Sequence, residues 1–275
     1  MEHVHSLLAA WVEEKSLLAR GKSLTVGLCG SQGSGKTTAT QAIKAELERR
    51  GRRVAVLSLD DFYLTGSERS GLAATVHPLL KTRGVPGTHD VAMLLSTIRG
   101  LRRGMDVRVP AFDKASDDRR PREEWALVSG VVDVIILEGW CVGAVAQSDE
   151  ALEQPVNDLE RLEDPLGTWR GHVNRELAGR YRELTEELDY LVLLAAPSFD
   201  VVYDWRRQQE NSLRKAGLKG GPITSGIMND RALARFIAHY ERLTRHILAE
   251  MPARADLVVL LDSQRRIVRT APVLR

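Results

Sequence analysis

Cysteine is nearly absent from this 275-residue chain, with Cys29 and Cys141 as its only two. That excludes a disulfide scaffold, and no Cys/His spacing suits a zinc site. Aromatic residues make up 5% of the chain, so an aromatic slot for a flat ring would be hard to assemble. Neither sign of charge dominates: 39 Lys and Arg stand against 37 Asp and Glu, net +2. The basic excess of a nucleic-acid binder is therefore missing, and the arginine doublets are dispersed. No apolar run approaches the ~20 residues that span a bilayer. Glu2, His3, Glu13, Glu14 and Lys15 break any signal-peptide core. Repeats and low-complexity tracts are missing as well. The composition left, 43% hydrophobic and 28% charged, is that of an ordinary globular protein. We expect a cytoplasmic protein with no membrane and no nucleic-acid partner. Its two cysteines read as small residues buried at the ends of strands. One domain over residues 1–275 is expected, with a helix within 1–21 packed on it. The oligomeric state stays open, and a monomer is compatible with it.

What is present begins with Leu24-Thr25-Val26-Gly27-Leu28-Cys29, an apolar strand running into Gly30-Ser31-Gln32-Gly33-Ser34-Gly35-Lys36-Thr37-Thr38. Gly30 to Thr37 fits the phosphate-binding pattern G-x-x-x-x-G-K-[ST]. Glycines let backbone N–H groups wrap a phosphate closely, and the helix N-terminus behind adds partial positive charge. Lys36 would reach the outer phosphates, and the Thr37 hydroxyl would sit on Mg2+. A nucleoside triphosphate is the expected ligand, bound by Gly30 through Thr38.

Further apolar runs alternate with helical stripes. Val54 to Leu59, Val131 to Leu137, Leu188 to Ala195 and Leu257 to Leu261 read as strands, with Ile267-Val268-Arg269 as a hairpin partner for the last. Helices are expected over residues 3–20, after the phosphate loop, over 91–101, from about Ser198, and after Asp230 as the cap. Leu64 to Thr88 shows no firm periodicity, residues 144–188 read as helical insertions, and Gly217 to Gly226 reads as a mobile loop. Strands alternating with helices imply an α/β/α three-layer fold of the P-loop class, with about five parallel strands and a helical lid.

Two of these strands end in acids, Asp60-Asp61-Phe62-Tyr63 and Glu138-Gly139-Trp140. Ligands of open parallel sheets bind beyond the strands' carboxyl ends, on the side of the phosphate loop. Glu138 is expected to hold the metal with Thr37. Arg83-Gly84-Val85-Pro86-Gly87-Thr88-His89-Asp90 is a rigid cationic loop. Asp90 should cap the next helix, leaving Arg83 and His89 free to meet a substrate.

Together Gly30–Thr38, Ser58–Tyr63, Arg83–Asp90 and Leu137–Trp140 resemble D-glycerate 3-kinase of the plant and fungal type, a relative of uridine kinase, phosphoribulokinase and pantothenate kinase. The resemblance extends through Asn157–Glu160, Trp169-Arg170 and Trp205–Glu210. It implies an ATP-dependent phosphotransferase acting on a small hydroxy acid, with Lys36 and Asp60 catalytic and Asp60 orienting the acceptor hydroxyl. It also implies acceptor contacts from Asp61, Tyr63, Arg83, His89, Arg119 and Trp140, and a lid cation, Arg206 or Arg207, on the ATP. One stretch departs from the family pattern. Where Asp-Lys-Ser and glycines are expected, this chain reads Asp113-Lys114-Ala115-Ser116-Asp117-Asp118-Arg119. That leaves open a kinase for another hydroxyl acceptor, such as pantothenate or a nucleoside, and an ATP-binding switch without transfer.

Overall fold

The computed structural model describes residues 2–218 and 229–272. The first half of the chain gives α1 (Glu2–Leu18), β1 (Leu24–Gly30), α2 (Lys36–Arg49), β2 (Val54–Ser58), α3 (Gly66–Thr75) and α4 (Val91–Arg102). Four short strands follow as two hairpins: β3 (Val107–Val109) pairs with β6 (Ala126–Val128), and between them β4 (Phe112–Asp113) pairs with β5 (Asp118–Arg119). Next come β7 (Val134–Gly139) and four short helices, α5 (Asp149–Glu153), α6 (Asp158–Glu163), α7 (Thr168–Ala178) and α8 (Arg180–Glu186). The rest is β8 (Tyr190–Ala195), α9 (Phe199–Leu218), α10 (Asp230–Glu250), β9 (Leu257–Leu261) and β10 (Ile267–Pro272).

The main sheet has the order β10-β9-β8-β1-β7-β2. Five of its strands run parallel, and β10 closes one edge antiparallel to β9. Its strands are apolar at successive positions because both faces are covered. Alternate residues feed two cores. Val26, Leu28, Val134, Ile136, Val192 and Leu194 pack with Leu8, Val12, Ile43, Leu47 and Trp205 of α1, α2 and α9. Ala55, Leu57, Ile135, Leu137, Leu191 and Leu193 pack on the other face with Leu94, Ile98, Leu184, Leu243 and Ile247 of α4, α8 and α10. A third cluster, Leu79, Leu80, Val85, Leu159 and Trp169, fastens the 83–90 loop to the helical insertion. Among the described residues no helix is long and apolar enough to cross a membrane.

The parallel sheet, its covering helices and the terminal hairpin match the sequence reading. Three local expectations are corrected. Residues 66–75 are helical, held by a capping box in which Thr65 and Glu68 bond each other's backbone N–H. The cap of α10 is Asn229, whose side chain accepts from the Ala232 N–H, and Asp230 is the first helical residue. Helix α9 runs on to Leu218, so the expected loop at 217–226 begins in helix. From residue 219 onward that loop lies outside the described residues.

Candidate active site

The carboxyl ends of β1, β2 and β7 meet at one cleft of about 470 Å³. On its phosphate side Gly33 (φ +77°) and Gly35 (φ +92°) take left-handed backbone that side chains disfavour. A Cβ on Gly33 would also meet Trp205 Cβ at 2.8 Å. The Lys36 ammonium folds back on the Ser31 carbonyl at 3.0 Å. The Ser31 and Ser34 hydroxyls are buried without a hydrogen-bond partner, polar groups that suit an anion in the loop. The loop is clamped from outside by Arg265, whose Nε donates to the Gly33 carbonyl and whose guanidinium lies 4.9 Å from the Trp205 ring centroid.

Strand register sets the next group. Glu138 lies opposite Ser58 of β2 and Leu28 of β1. Its Oε1 accepts from the Thr37 hydroxyl at 3.1 Å and the Ser58 hydroxyl at 3.0 Å. A nearly buried carboxylate beside a hydroxyl at a phosphate loop is a hard-oxygen pair of the kind a divalent cation takes. Among the described residues no three or more His, Cys, Asp or Glu side chains gather into a metal cluster. An ion there would draw its remaining ligands from phosphate and water, as Mg2+ commonly does.

Asp60 stands one turn past β2. Its Oδ1 accepts from the Tyr63 hydroxyl at 2.8 Å and its Oδ2 from the Lys114 ammonium at 2.6 Å. Burial opposes ionisation of Asp60, but the Lys114 charge and the two hydrogen bonds outweigh it and hold the carboxyl at about 2. Its neighbour Asp61 accepts from the Phe112 N–H, and burial pushes its carboxyl up. Tyr63, Arg83, Trp140 and Tyr240 complete this end of the cleft. Trp140 Nε1 donates to the Gly84 carbonyl at 2.7 Å and Tyr240 donates to the Arg83 carbonyl at 3.1 Å, so both rings brace the 83–90 loop.

Lys36, Thr37, Glu138, Asp60, Asp61, Tyr63, Arg83, Trp140 and Arg206 thus share one cleft. Asp90 caps α4 through the Met93 N–H. His89 is not free as expected. It is buried, stacked on Tyr63 at 4.6 Å, and its Nδ1 lies 2.5 Å from the Tyr181 hydroxyl. Burial pushes its imidazole down to about 4, so the ring is neutral. Arg119 also sits behind the cleft, donating to the Tyr63 carbonyl at 2.9 Å. The two arginines of α9 separate: Arg206 faces the cleft and pairs with Glu210, whereas Arg207 pairs with Asp204 on the exposed side. Both cysteines are buried and free, and burial pushes the Cys29 thiol up to about 12.

Sequence reasoning assigned no role to Lys114, Gln209, Tyr240 or Arg265. Lys114 stood inside the departing stretch, where the signal was available. Gln209 stood within the Trp205–Glu210 stretch that carries the resemblance, whereas Tyr240 is marked by helical periodicity only as buried and Arg265 lies in a charged turn.

The profile of the family described as methylmalonyl Co-A mutase-associated GTPase MeaB matches residues 2–74, the part holding the phosphate loop and well under half of the chain. An uncharacterized kinase of Schizosaccharomyces pombe, mug58, is 34% identical over 238 residues, 82% of each chain. A chloroplastic D-glycerate 3-kinase of Arabidopsis thaliana is 26% identical over 285 residues, and the alignment takes in 96% of this chain but only 59% of that protein. The structure of D-glycerate 3-kinase from Cryptococcus neoformans superposes with a TM-score of 0.80 over 98% of both chains at 27% identity. The chain belongs to the family of ATP-dependent P-loop small-molecule kinases that includes D-glycerate 3-kinase.

Proposed function

We propose that this kinase phosphorylates D-glycerate to 3-phosphoglycerate by in-line transfer from ATP. The observation that carries the reading is an ionised carboxylate, Asp60, in one cleft with a phosphate loop and a guanidinium, Arg83. Two relatives named D-glycerate 3-kinase support the choice of acceptor.

In this reading the amides of Gly30 to Thr38 and the Lys36 ammonium bind the β- and γ-phosphates. Thr37 and Glu138 would hold Mg2+, which when bound would supply neutralisation of the charge developing on the transferred group. Arg206, which lines the cleft, would be the lid cation on the phosphates, and Arg207 takes no part. Asp60 orients the acceptor hydroxyl and accepts its proton. A carboxyl held near 2 is a weak base, so its contribution is chiefly alignment, which suits a loose transition state. Arg83 offers a bidentate fork to the acceptor's carboxylate. Tyr63 fixes Asp60, and His89 and Arg119 hold Tyr63 in place from behind. Asp61 and Trp140 line the acceptor's side of the cleft.

The test is ADP release measured with D-glycerate, pantothenate, uridine and glycerol as acceptors. D-Glycerate should stimulate it most, and release indifferent to every acceptor would overturn the reading. Asp60→Asn should abolish transfer while ATP affinity stays within about tenfold, or 1.4 kcal/mol.

A further inference from the structure

The two groups assigned above to the acceptor are already engaged, and both partners come from one turn. Lys114 and Asp117 lie in the turn between β4 and β5, a hairpin of only two residue pairs, Phe112 with Arg119 and Asp113 with Asp118. Lys114 holds Asp60 Oδ2 at 2.6 Å, while Tyr63 holds Oδ1, so an acceptor hydroxyl meets a carboxylate already engaged on both oxygens. The Asp117 carboxylate is paired with the Arg83 guanidinium.

We propose that this turn occupies the acceptor half of the cleft in place of a substrate, with the Asp117 carboxylate standing where an acceptor's carboxylate would bind Arg83 and the Lys114 ammonium where its hydroxyl would meet Asp60. The proposal rests on the functional reading above and adds a selection rule to it. Tyr63 is buried and fixed, whereas the Lys114 side chain is 61% exposed, so Lys114 is the group that yields. Asp117 has a second partner ready, because Arg69 Nη2 lies 2.9 Å from its other oxygen and is itself buried. When an anionic acceptor takes Arg83, Asp117 stays neutralised by Arg69, and Lys114 passes from Asp60 to the incoming carboxylate. Asp60 gives up its cation in the exchange and keeps the Tyr63 hydroxyl and the acceptor's own hydroxyl as donors, while the incoming carboxylate gains both Arg83 and Lys114. A neutral alcohol has nothing to offer Arg83 or Lys114 and leaves the turn in place.

The backbone points to the same end. Asp117 is held at φ +57°, a left-handed conformation that a non-glycine residue seldom takes. Its own carbonyl accepts from Arg69 at 2.6 Å. Asp113 bonds the Ala115 N–H and the Ser116 hydroxyl, so the turn keeps its shape while its charged ends exchange partners. The selected acceptor class is a small hydroxyl compound bearing a carboxylate.

The test compares wild type, Asp117→Asn and Lys114→Gln with D-glycerate and with glycerol. Asparagine tolerates positive φ and keeps an oxygen for Arg69. In Asp117→Asn the KM for D-glycerate should fall about threefold, with the KM for ATP within about twofold, the size of one partly exposed ion pair. In Lys114→Gln the preference in kcat/KM for D-glycerate over glycerol should narrow by about fivefold. A glycerate KM that is unchanged or raised in a folded Asp117→Asn protein overturns the proposal, as does an unchanged preference in Lys114→Gln. Should Asp117→Asn fail to fold, the exposed Lys114 position decides alone. If wild type turns over neither acceptor, the functional reading falls separately, and amide hydrogen exchange of the free protein judges the turn. Faster exchange over residues 113–118 in Lys114→Gln would support the tether, and unchanged exchange would overturn it.

Discussion

The side chain of Arg265 closes on the carbonyl of Gly33, 232 positions earlier, at 2.5 Å. The same guanidinium lies over Trp205 and donates to Gln208, so the phosphate loop is held from the hairpin between β9 and β10. Arg265→Ala should raise the KM for ATP about tenfold, the scale of one hydrogen bond from a charged group. The KM for the acceptor should stay near wild type. Arg265→Lys should restore little, because an ammonium lacks the planar fork that stacks on Trp205. Steady-state kinetics against each substrate checks this, and equal effects on both would move Arg265 out of the nucleotide half.

Glu138 accepts two hydroxyl protons through one oxygen. Glu138→Gln keeps that acceptor but removes the charge. Turnover should fall at least about a hundredfold and should need more magnesium for half its maximum. Binding of ATP without metal should hardly change. A magnesium titration of rate and a metal-free binding isotherm separate the two, and an unshifted magnesium dependence would remove Glu138 from the metal.

Arg242 of α10 forms a buried pair with Glu160 of α6, with Nε at 2.8 Å and Nη2 at 2.6 Å from its oxygens. Arg242→Met leaves that carboxylate buried with the Val156 N–H as its one remaining donor among the described residues. A loss of about 3–5 kcal/mol in unfolding free energy follows. Adding Glu160→Gln should recover most of it, because the uncompensated charge is then gone. Denaturant melts of the single and double variants test the cycle.

His89 and His239 are both pushed from 6.5 down to about 4 by burial. Unfolding returns them to the ordinary value, so between those pH values the unfolded chain binds more protons than the native one. Stability is therefore full above about pH 6.5 and falls as pH drops toward 4, by up to about 1.4 kcal/mol per pH unit for each histidine. Asp60 acts in another window: its lowered carboxyl stabilises the fold above 3.8, and that contribution is lost only below it. Unfolding free energies from pH 7 to 4.5 should show the slope, and His239→Gln should flatten it.

Much of this was legible in the sequence because it is local. Glycine spacing placed the phosphate loop, apolar runs stopped by Asp60 and Glu138 placed the strand ends to within a residue or two, and Asp90 announced the cap of α4. The helix at 66–75 was hidden by Gly66 and Gly71, although Thr65 and Glu68 have capping-box spacing. His89 misled because its loop is polar along the chain, whereas Tyr181, 92 residues on, buries it. Lys114 reaches Asp60 across 54 residues, a meeting that the hairpin's fold decides and no spacing rule contains.

The clamp on Gly33 also bears on how the chain is made. A ribosome working at about 5–20 residues per second needs roughly 10–50 s to lay down the stretch that separates Gly33 from Arg265. For that interval a nascent chain carries the phosphate loop without its fastening, so on the tenfold scale argued for Arg265→Ala its hold on nucleotide tightens only once the last hairpin is made.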